Sequence, residues 1–138
     1  MSRKVFISFG ALVLVLAALI PWLVFEADGD APEGAEVPAG LEQGKSLFAT
    51  NCGNCHTLYA AGTDGNFGPD LDQLLAPAGP PEGPDAEQTI EATEGRVLNA
   101  IEEGVDGSTT PGRMPGGIID GEQAEEVTEF VARFAGEG

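Results

Sequence analysis

The sequence has few cysteines, one histidine and little positive charge. Its 138 residues include 6 Lys and Arg against 23 Asp and Glu, so the formal net charge is −17. A chain with this balance cannot neutralise phosphates, which excludes nucleic-acid binding. Two cysteines exclude a disulfide-rich scaffold. The only Trp, Trp22, lies in an apolar N-terminal run, so the rest of the chain needs another source of buried apolar surface to build a large core.

The N-terminal run, residues 5–25, contains no charged residue. A helix of this length spans about 30 Å, the thickness of one hydrocarbon core. Arg3 and Lys4 precede the run and Glu26 follows it, so the positive-inside rule places the remainder of the chain outside the cytoplasm. A cleaved signal peptide is the competing interpretation, but this run is long and no small-x-small cleavage site follows it. We therefore predict that residues 1–25 form an uncleaved transmembrane anchor; both interpretations export the domain.

The rest of the chain divides into a tether and a helical domain. Residues 26–40 are rich in Pro, Gly, Ala and acid and lack apolar periodicity, which predicts a flexible acidic tether. Residues 41–138 show apolar residues at helical spacing and no period-two alternation long enough for a sheet. We predict an all-α domain there. Its helices are expected at residues 41–51, in the short LDQLLA segment at 71–76, from Ile90 to a stop at Gly104, and from an N-cap at Asp120 to an end at Gly136.

The central motif is CGNCH at residues 52–56, which contains both cysteines and the only histidine. The spacing C-x-x-C-H is the attachment signature of c-type haem. Two thiols three residues apart on a helical turn can each form a thioether to a haem vinyl group, and the next residue can then ligate the iron. We predict one covalent haem c held by Cys52, Cys55 and His56.

Three other interpretations of Cys52 and Cys55 remain open. A redox dithiol begins a helix in a βαβ context, which this sequence lacks. Half of a structural zinc site would have to be completed by carboxylates, because no further Cys or His exists in the chain. The third interpretation is a chance match in which both cysteines are structural.

Met114 is the candidate for the second axial ligand of the iron. Apart from Met1 it is the only methionine, and it lies in the polar, Gly-rich segment GRMPGG. A single Met is more often core packing, but this segment has no apparent apolar face to join. Ligation by His56 and Met114 leaves no free coordination position on the iron. It also raises the reduction potential relative to ligation by two His or by His and water. A six-coordinate iron transfers electrons and does not readily bind oxygen or peroxide, so we predict an electron carrier and no enzyme.

Residues from about 40 to 136 resemble a monohaem class I c-type cytochrome. Besides the C-x-x-C-H motif and Met114, the family's G-P-x-L element appears at residues 68–71. In that family the Pro carbonyl accepts a hydrogen bond from the proximal His ring. The resemblance therefore implies that Pro69 supports His56.

The same resemblance implies that the first and last helices cross at a Gly and an aromatic residue. Gly44 and Phe48 match the first helix, whereas the last helix has Arg133 where the family usually has an aromatic. Phe130 and Phe134 flank that position, so either can make the contact.

The predicted haem lining consists of apolar residues that would equally serve an ordinary core. They are Phe48, Phe67, Leu71, Leu74, Leu75, Leu98, Ile101 and Ile118. Because the haem supplies apolar surface that the sequence lacks, we expect the domain without haem to be largely unfolded.

These patterns together predict a membrane-anchored bacterial cytochrome c on the periplasmic side of the cytoplasmic membrane. The resemblance implies that electrons pass through an exposed haem edge, between membrane-bound respiratory or photosynthetic complexes such as a quinol–cytochrome c reductase or a terminal oxidase. A fixed cytochrome subunit of such a complex is the first alternative. A haem enzyme or sensor in which Met114 dissociates is the second, although Arg113 is the only nearby polar candidate. The acidic surface indicates solubility, compositional bias, or steering toward a basic partner.

Overall fold

The computed structural model describes residues 8–10, 12–17, 19–20, 34–106 and 112–138. The chain divides into two compact units, Met1–Ala31 and Pro32–Gly138. In the first unit, every described residue is helical. No helix within the described ranges is both long and apolar enough to cross a membrane. The predicted anchor is described only in part, since residues 1–7, 11, 18 and 21–25 of it lie outside those ranges.

The second unit is mainly helical in its described residues. Its α-helices are α1 (Glu42–Asn51), α2 (Leu71–Leu75), α3 (Ala86–Glu103) and α4 (Gly121–Phe134). The prediction of a helical domain is therefore confirmed, with one addition. Strands β1 (Thr57–Leu58) and β2 (Thr63–Asp64) pair antiparallel on either side of a 3₁₀ turn at Tyr59–Ala61, with Thr57 opposite Asp64. Strands of two residues are too short to produce the alternation by which a strand is recognised.

The predicted helix ends lie within about two residues of the observed ones, except that α3 begins at Ala86, before the predicted Ile90, and that one N-cap makes no side-chain contact. Asp70 caps α2, its Oδ1 accepting the N–H of Gln73 at 3.2 Å. Gly104 follows α3 with φ +77°, a conformation that suits glycine. Asp120 occupies the N-cap of α4, but its side chain makes no capping hydrogen bond. Gly121, the next residue, has φ +53°, which departs from a regular first turn and accounts for the missing contact.

The core centres on the contact between α1 and α4. Phe48 of α1 lies 6.4 Å from Phe130 of α4, measured between ring centroids, and Phe134 stacks on Phe130 at 5.5 Å. An added Cβ at Gly44 would lie 2.9 Å from the Cβ of Phe130 and would overlap the carbonyl oxygen of Glu126. The helices thus cross at Gly44, and Phe130 is the aromatic residue that contacts the first helix.

Replacing Gly44 with Ala is expected to lower the unfolding free energy of the haem-loaded protein by about 1–3 kcal/mol, because the crossing leaves no room for a methyl group. Gly95 in α3 is the matched control, since an added Cβ there meets nothing within 4 Å. Gly95→Ala is expected to raise stability by about 0.5–1 kcal/mol, because Ala loses less backbone entropy in a helix. Denaturant unfolding followed by circular dichroism measures both changes. Effects of the same sign would contradict this account of the crossing.

Residues 34–40, assigned to the tether from their composition, pack on the domain. Val37 is 9% exposed and belongs to the core cluster. Lys45 Nζ donates to the carbonyl oxygen of Ala35 at 2.7 Å, and an added Cβ at Gly34 would lie 2.6 Å from the backbone nitrogen of Gly62. The packed domain therefore extends further toward the N-terminus than the predicted boundary at residue 41. Residues 26–33 of the tether lie outside the described ranges.

Candidate functional site

The two cysteines lie on a turn that begins where α1 ends. Cys52 follows the helix as its C-cap and donates its N–H to the Phe48 carbonyl at 2.8 Å. The N–H groups of Cys55 and His56 both donate to the Cys52 carbonyl at 3.0 Å. Cys52 is half-buried and Cys55 is exposed, and both thiols are free. Both cysteines and His56 therefore lie on one hydrogen-bonded turn, which suits attachment of one planar group.

The environment of Cys52 does not activate its thiol. Burial, and then the nearby Cys55, raise the pKa of Cys52 to about 11. Reactive dithiols have the opposite character, with a thiol pKa lowered so that thiolate is present at neutral pH. With a raised pKa, Cys52 is not the activated thiolate that a redox dithiol uses for attack. In the described part of the chain, no three His, Cys, Asp or Glu side chains are arranged to hold a metal ion.

The His56 ring is held on one edge and one face. Its Nδ1 lies 2.9 Å from the carbonyl oxygen of Pro69. Because a carbonyl only accepts, Nδ1 must carry the proton, and Nε2 then keeps the lone pair that binds a metal. An added Cβ at Gly68 would lie 2.6 Å from the ring Cε1, so glycine there lets the chain approach the ring. The ring itself is 9% exposed. The structure therefore contains the contact between Pro69 and His56 that the family resemblance implies.

The paired strands brace the turn that carries the cysteines. Thr63 Oγ1 donates to the His56 carbonyl at 3.0 Å, and Thr57 Oγ1 donates to the Gly65 carbonyl at 2.9 Å. An added Cβ at Gly53 would lie 2.5 Å from the Thr63 methyl. Sequence analysis did not identify Thr63. Its role is a contact to the backbone, for which the residue type alone gives no signal.

The backbone of Met114 is fixed against the end of α3. Met114 and Val105 exchange two backbone hydrogen bonds, of 2.9 and 3.0 Å, and the N–H of Gly117 donates to the Ile101 carbonyl at 2.7 Å. An added Cβ at Gly104 would lie 2.5 Å from the Met114 carbonyl oxygen. The Met114 side chain is partly buried and packs against the core. The expectation that this segment has no apolar face to join is thus wrong, because the pairing with Val105 folds it back onto α3.

Arg113 is paired on the surface beside this segment. Its Nε lies 2.9 Å from Asp106 Oδ1, with the two side chains 73% and 85% exposed. An ion pair so exposed contributes little to stability. Since the guanidinium is engaged with a surface carboxylate, nothing in its placement supports the acid–base role that a haem enzyme would need.

The eight predicted lining residues fall into three groups. Phe48 and Ile101 are buried in the core, and Leu71, Leu75 and Leu98 pack partly against it. The other three are exposed by 52%, 50% and 41% of their area and are Phe67, Leu74 and Ile118. Phe48 serves the helix crossing through its contact with Phe130, so the exposed three are the better candidates for contact with a bound group.

The segment before Met114 lies against the segment before Pro69. An added Cβ at Gly112 would overlap the ring of Phe67, so these two segments of the chain are in contact there. The segment that leads to Met114 therefore approaches the segment that leads to Pro69 at this contact. Two free thiols on one turn, an imidazole with Nε2 available and exposed apolar side chains fit a covalently attached haem.

Comparison with known protein families gives a match over most of the second unit. A family model described as cytochrome c matches residues 41–134, which contain the C-x-x-C-H turn, Pro69 and Met114. No curated protein matches the chain individually.

Proposed function

Because the chain belongs to the cytochrome c family, we propose that it carries single electrons on one haem whose axial ligands are His56 and Met114. The predicted cofactor, covalent haem c, is confirmed by the family. Its iron gains and loses one electron between the ferrous and ferric states. The observation that supports this function best is the His56 ring, with Nδ1 held by Pro69 at 2.9 Å beside the two free cysteines.

Each residue of the site has a distinct part in this proposal. Cys52 and Cys55 attach the macrocycle through thioethers, and the turn after α1 sets the distance between them. The Pro69 carbonyl fixes the ring orientation of His56 and raises the basicity of Nε2. The thioether sulfur of Met114 favours the ferrous state and thereby raises the reduction potential. If His56 and Met114 both bound the iron, no position would be left open for a substrate, and the bound haem would serve electron transfer.

We propose further that the domain works on the outer face of the cytoplasmic membrane, held there by residues 1–25. The uncharged run at 5–25, preceded by Arg3 and Lys4, supports this topology. Its partners would be membrane-bound redox complexes, such as a quinol–cytochrome c reductase or a terminal oxidase. The net charge of −17 favours a partner with a basic docking surface.

Production of the full chain in a host that attaches c-type haem tests the carrier function. The expected product keeps its haem after denaturing electrophoresis and titrates as a one-electron couple. Its ferric form is expected to show the charge-transfer band of a methionine sulfur bound to iron. Tight binding of carbon monoxide by the ferrous wild type would contradict the function, because it requires an open axial position.

Native gels of detergent-extracted membranes test the location and the mode of action. A haem-staining band at the size of the free protein is expected for a tethered carrier. Co-migration with a large complex would instead support the alternative of a fixed subunit and identify the partner. Recovery of all the protein without detergent would contradict the anchor.

Salt provides a separate test of the acidic surface. If charge steers the encounter, the bimolecular rate of electron transfer to a basic partner is expected to fall steeply as ionic strength rises, because the screening length shortens to about 8 Å near 0.15 M salt. Stopped-flow mixing with a basic and a neutral redox partner measures this. Equal salt dependence for both partners would show that the charge serves solubility alone.

A further inference from the structure

Asp72 is a buried carboxylate that sequence analysis did not assign. It lies in the first turn of α2 and is 7% exposed. Its Oδ2 accepts the N–H of Tyr59 at 2.8 Å, and its Oδ1 accepts the N–H of Gly136 at 2.8 Å. A buried carboxylate is costly unless its oxygens are hydrogen-bonded, and here both oxygens accept from the backbone. Such charge-assisted bonds are among the stronger hydrogen bonds in proteins.

The bond from Tyr59 to Asp72 runs beside the bond from His56 to Pro69. Each joins residues that are 13 positions apart, His56 with Pro69 and Tyr59 with Asp72. The segment 56–59 is therefore tied to the segment 69–72 at both ends. The first bond joins the His56 side chain to the Pro69 backbone. The second joins the Tyr59 backbone to the Asp72 side chain. Two such ties prevent either segment from sliding along the other.

This geometry matters because the bond to His56 depends on where the Pro69 carbonyl lies. Proline has no backbone N–H, so Pro69 cannot anchor itself by donating a hydrogen bond. Within α2, Asp72 is the residue that a hydrogen bond joins to Tyr59. A shift of α2 away from Tyr59 would carry the Pro69 carbonyl away from Nδ1 and weaken that bond.

We propose that Asp72 is a positioning residue for His56: by holding α2 against Tyr59, it keeps the Pro69 carbonyl within hydrogen-bond distance of the imidazole. This inference rests on the proposed role of His56 as an iron ligand. The second bond of Asp72, to Gly136, ties the same carboxylate to the chain just after α4. The end of the last helix and the proximal side of the site are thus joined through one side chain.

The Asp72 carboxylate is held by backbone N–H groups and has an acidic neighbour. Burial, and then the charge of Asp72, raise the pKa of the neighbouring Glu137. Among the described residues, the partners of the Asp72 carboxylate are the two N–H groups and no cation. The carboxylate is held by backbone dipoles, so its loss would leave two N–H groups of separate segments without an acceptor.

Nuclear magnetic resonance of the ¹⁵N-labelled, haem-loaded, ferrous full chain tests this inference. Solvent exchange of the His56 Nδ1–H is compared with exchange of the Val131 amide, which lies in the buried part of α4. Asp72→Ala, which removes both acceptor oxygens, is expected to accelerate His56 exchange about tenfold relative to Val131. The matched control is Asp70→Ala, which removes a carboxylate that contacts only Gln73. It is expected to change the ratio by less than about twofold.

Two results would overturn the inference. Equal acceleration of His56 and Val131 would mean that Asp72 only stabilises the fold, and no change in either would mean that it does not position the ring. If Asp72→Ala fails to fold, the wild type is tested instead. Exchange of the Tyr59 amide and exchange of the His56 Nδ1–H must then respond equally to added denaturant, because one opening of the two segments exposes both. Ligation is read separately, from hyperfine-shifted His56 ring resonances in the ferric wild type. Their absence would refute the proposed function and not merely this inference.

Discussion

Without its covalent haem, the double variant Cys52→Ser/Cys55→Ser is expected to show no cooperative thermal transition. The domain has a small core, centred on Phe48 and Phe130. Three of the predicted lining residues, Phe67, Leu74 and Ile118, are between 41% and 52% exposed. A group that binds only the folded state contributes its binding free energy to stability, and a covalent group cannot dissociate. Its loss is therefore expected to exceed the modest margin of a domain this small.

Thermal scans by circular dichroism, with haem staining of the same samples, measure this effect. The single variants Cys52→Ser and Cys55→Ser are the controls, because each keeps one thioether and the ligand His56. Both are expected to retain haem and a cooperative transition at a lower midpoint. A cooperative transition in the haem-free double variant would show that the helix crossing alone is sufficient for folding.

The parts of the site that could be predicted from sequence are those in which neighbouring residues act together. The two cysteines and His56 lie on one turn, so their spacing alone gives their relation. Pro69 was reached through the family resemblance, and the structure then places its carbonyl 2.9 Å from the ring. The end of α3 at Gly104 is predicted by a residue type that stops a helix locally.

The parts that could not be predicted depend on contacts between distant segments. Val37 is the only large apolar residue in its acidic segment, so composition indicated a tether although Val37 joins the core. Met114 pairs with Val105 through backbone atoms, which no side-chain pattern reveals. The same holds for Asp72, whose partners Tyr59 and Gly136 are backbone N–H groups. One acidic residue among 23 in the chain gives no sign in the sequence that it is buried.

The second large effect is expected at Met114, where Leu can separate ligation from packing. Leu and Met have similar volumes, so Met114→Leu keeps the contact with the core at a cost of less than about 1.5 kcal/mol. It removes the only sulfur that the segment can offer the iron. The reduction potential is expected to fall by on the order of 100 mV, because a thioether ligand stabilises the ferrous state. Potentiometric titration of both proteins measures the change.

Pro115→Ala is the control for disturbance of the segment, since it alters the neighbouring residue and leaves the sulfur in place. It is expected to keep the methionine charge-transfer band, whereas Met114→Leu loses the band and its ferrous form binds carbon monoxide. If Met114→Leu kept both the band and the potential, Met114 would be a core residue and the sixth ligand would lie elsewhere. Core packing and iron ligation depend on different properties of the Met114 side chain. Packing needs only its volume, whereas ligation needs its sulfur. A substitution that preserves volume and deletes sulfur therefore separates them in one measurement.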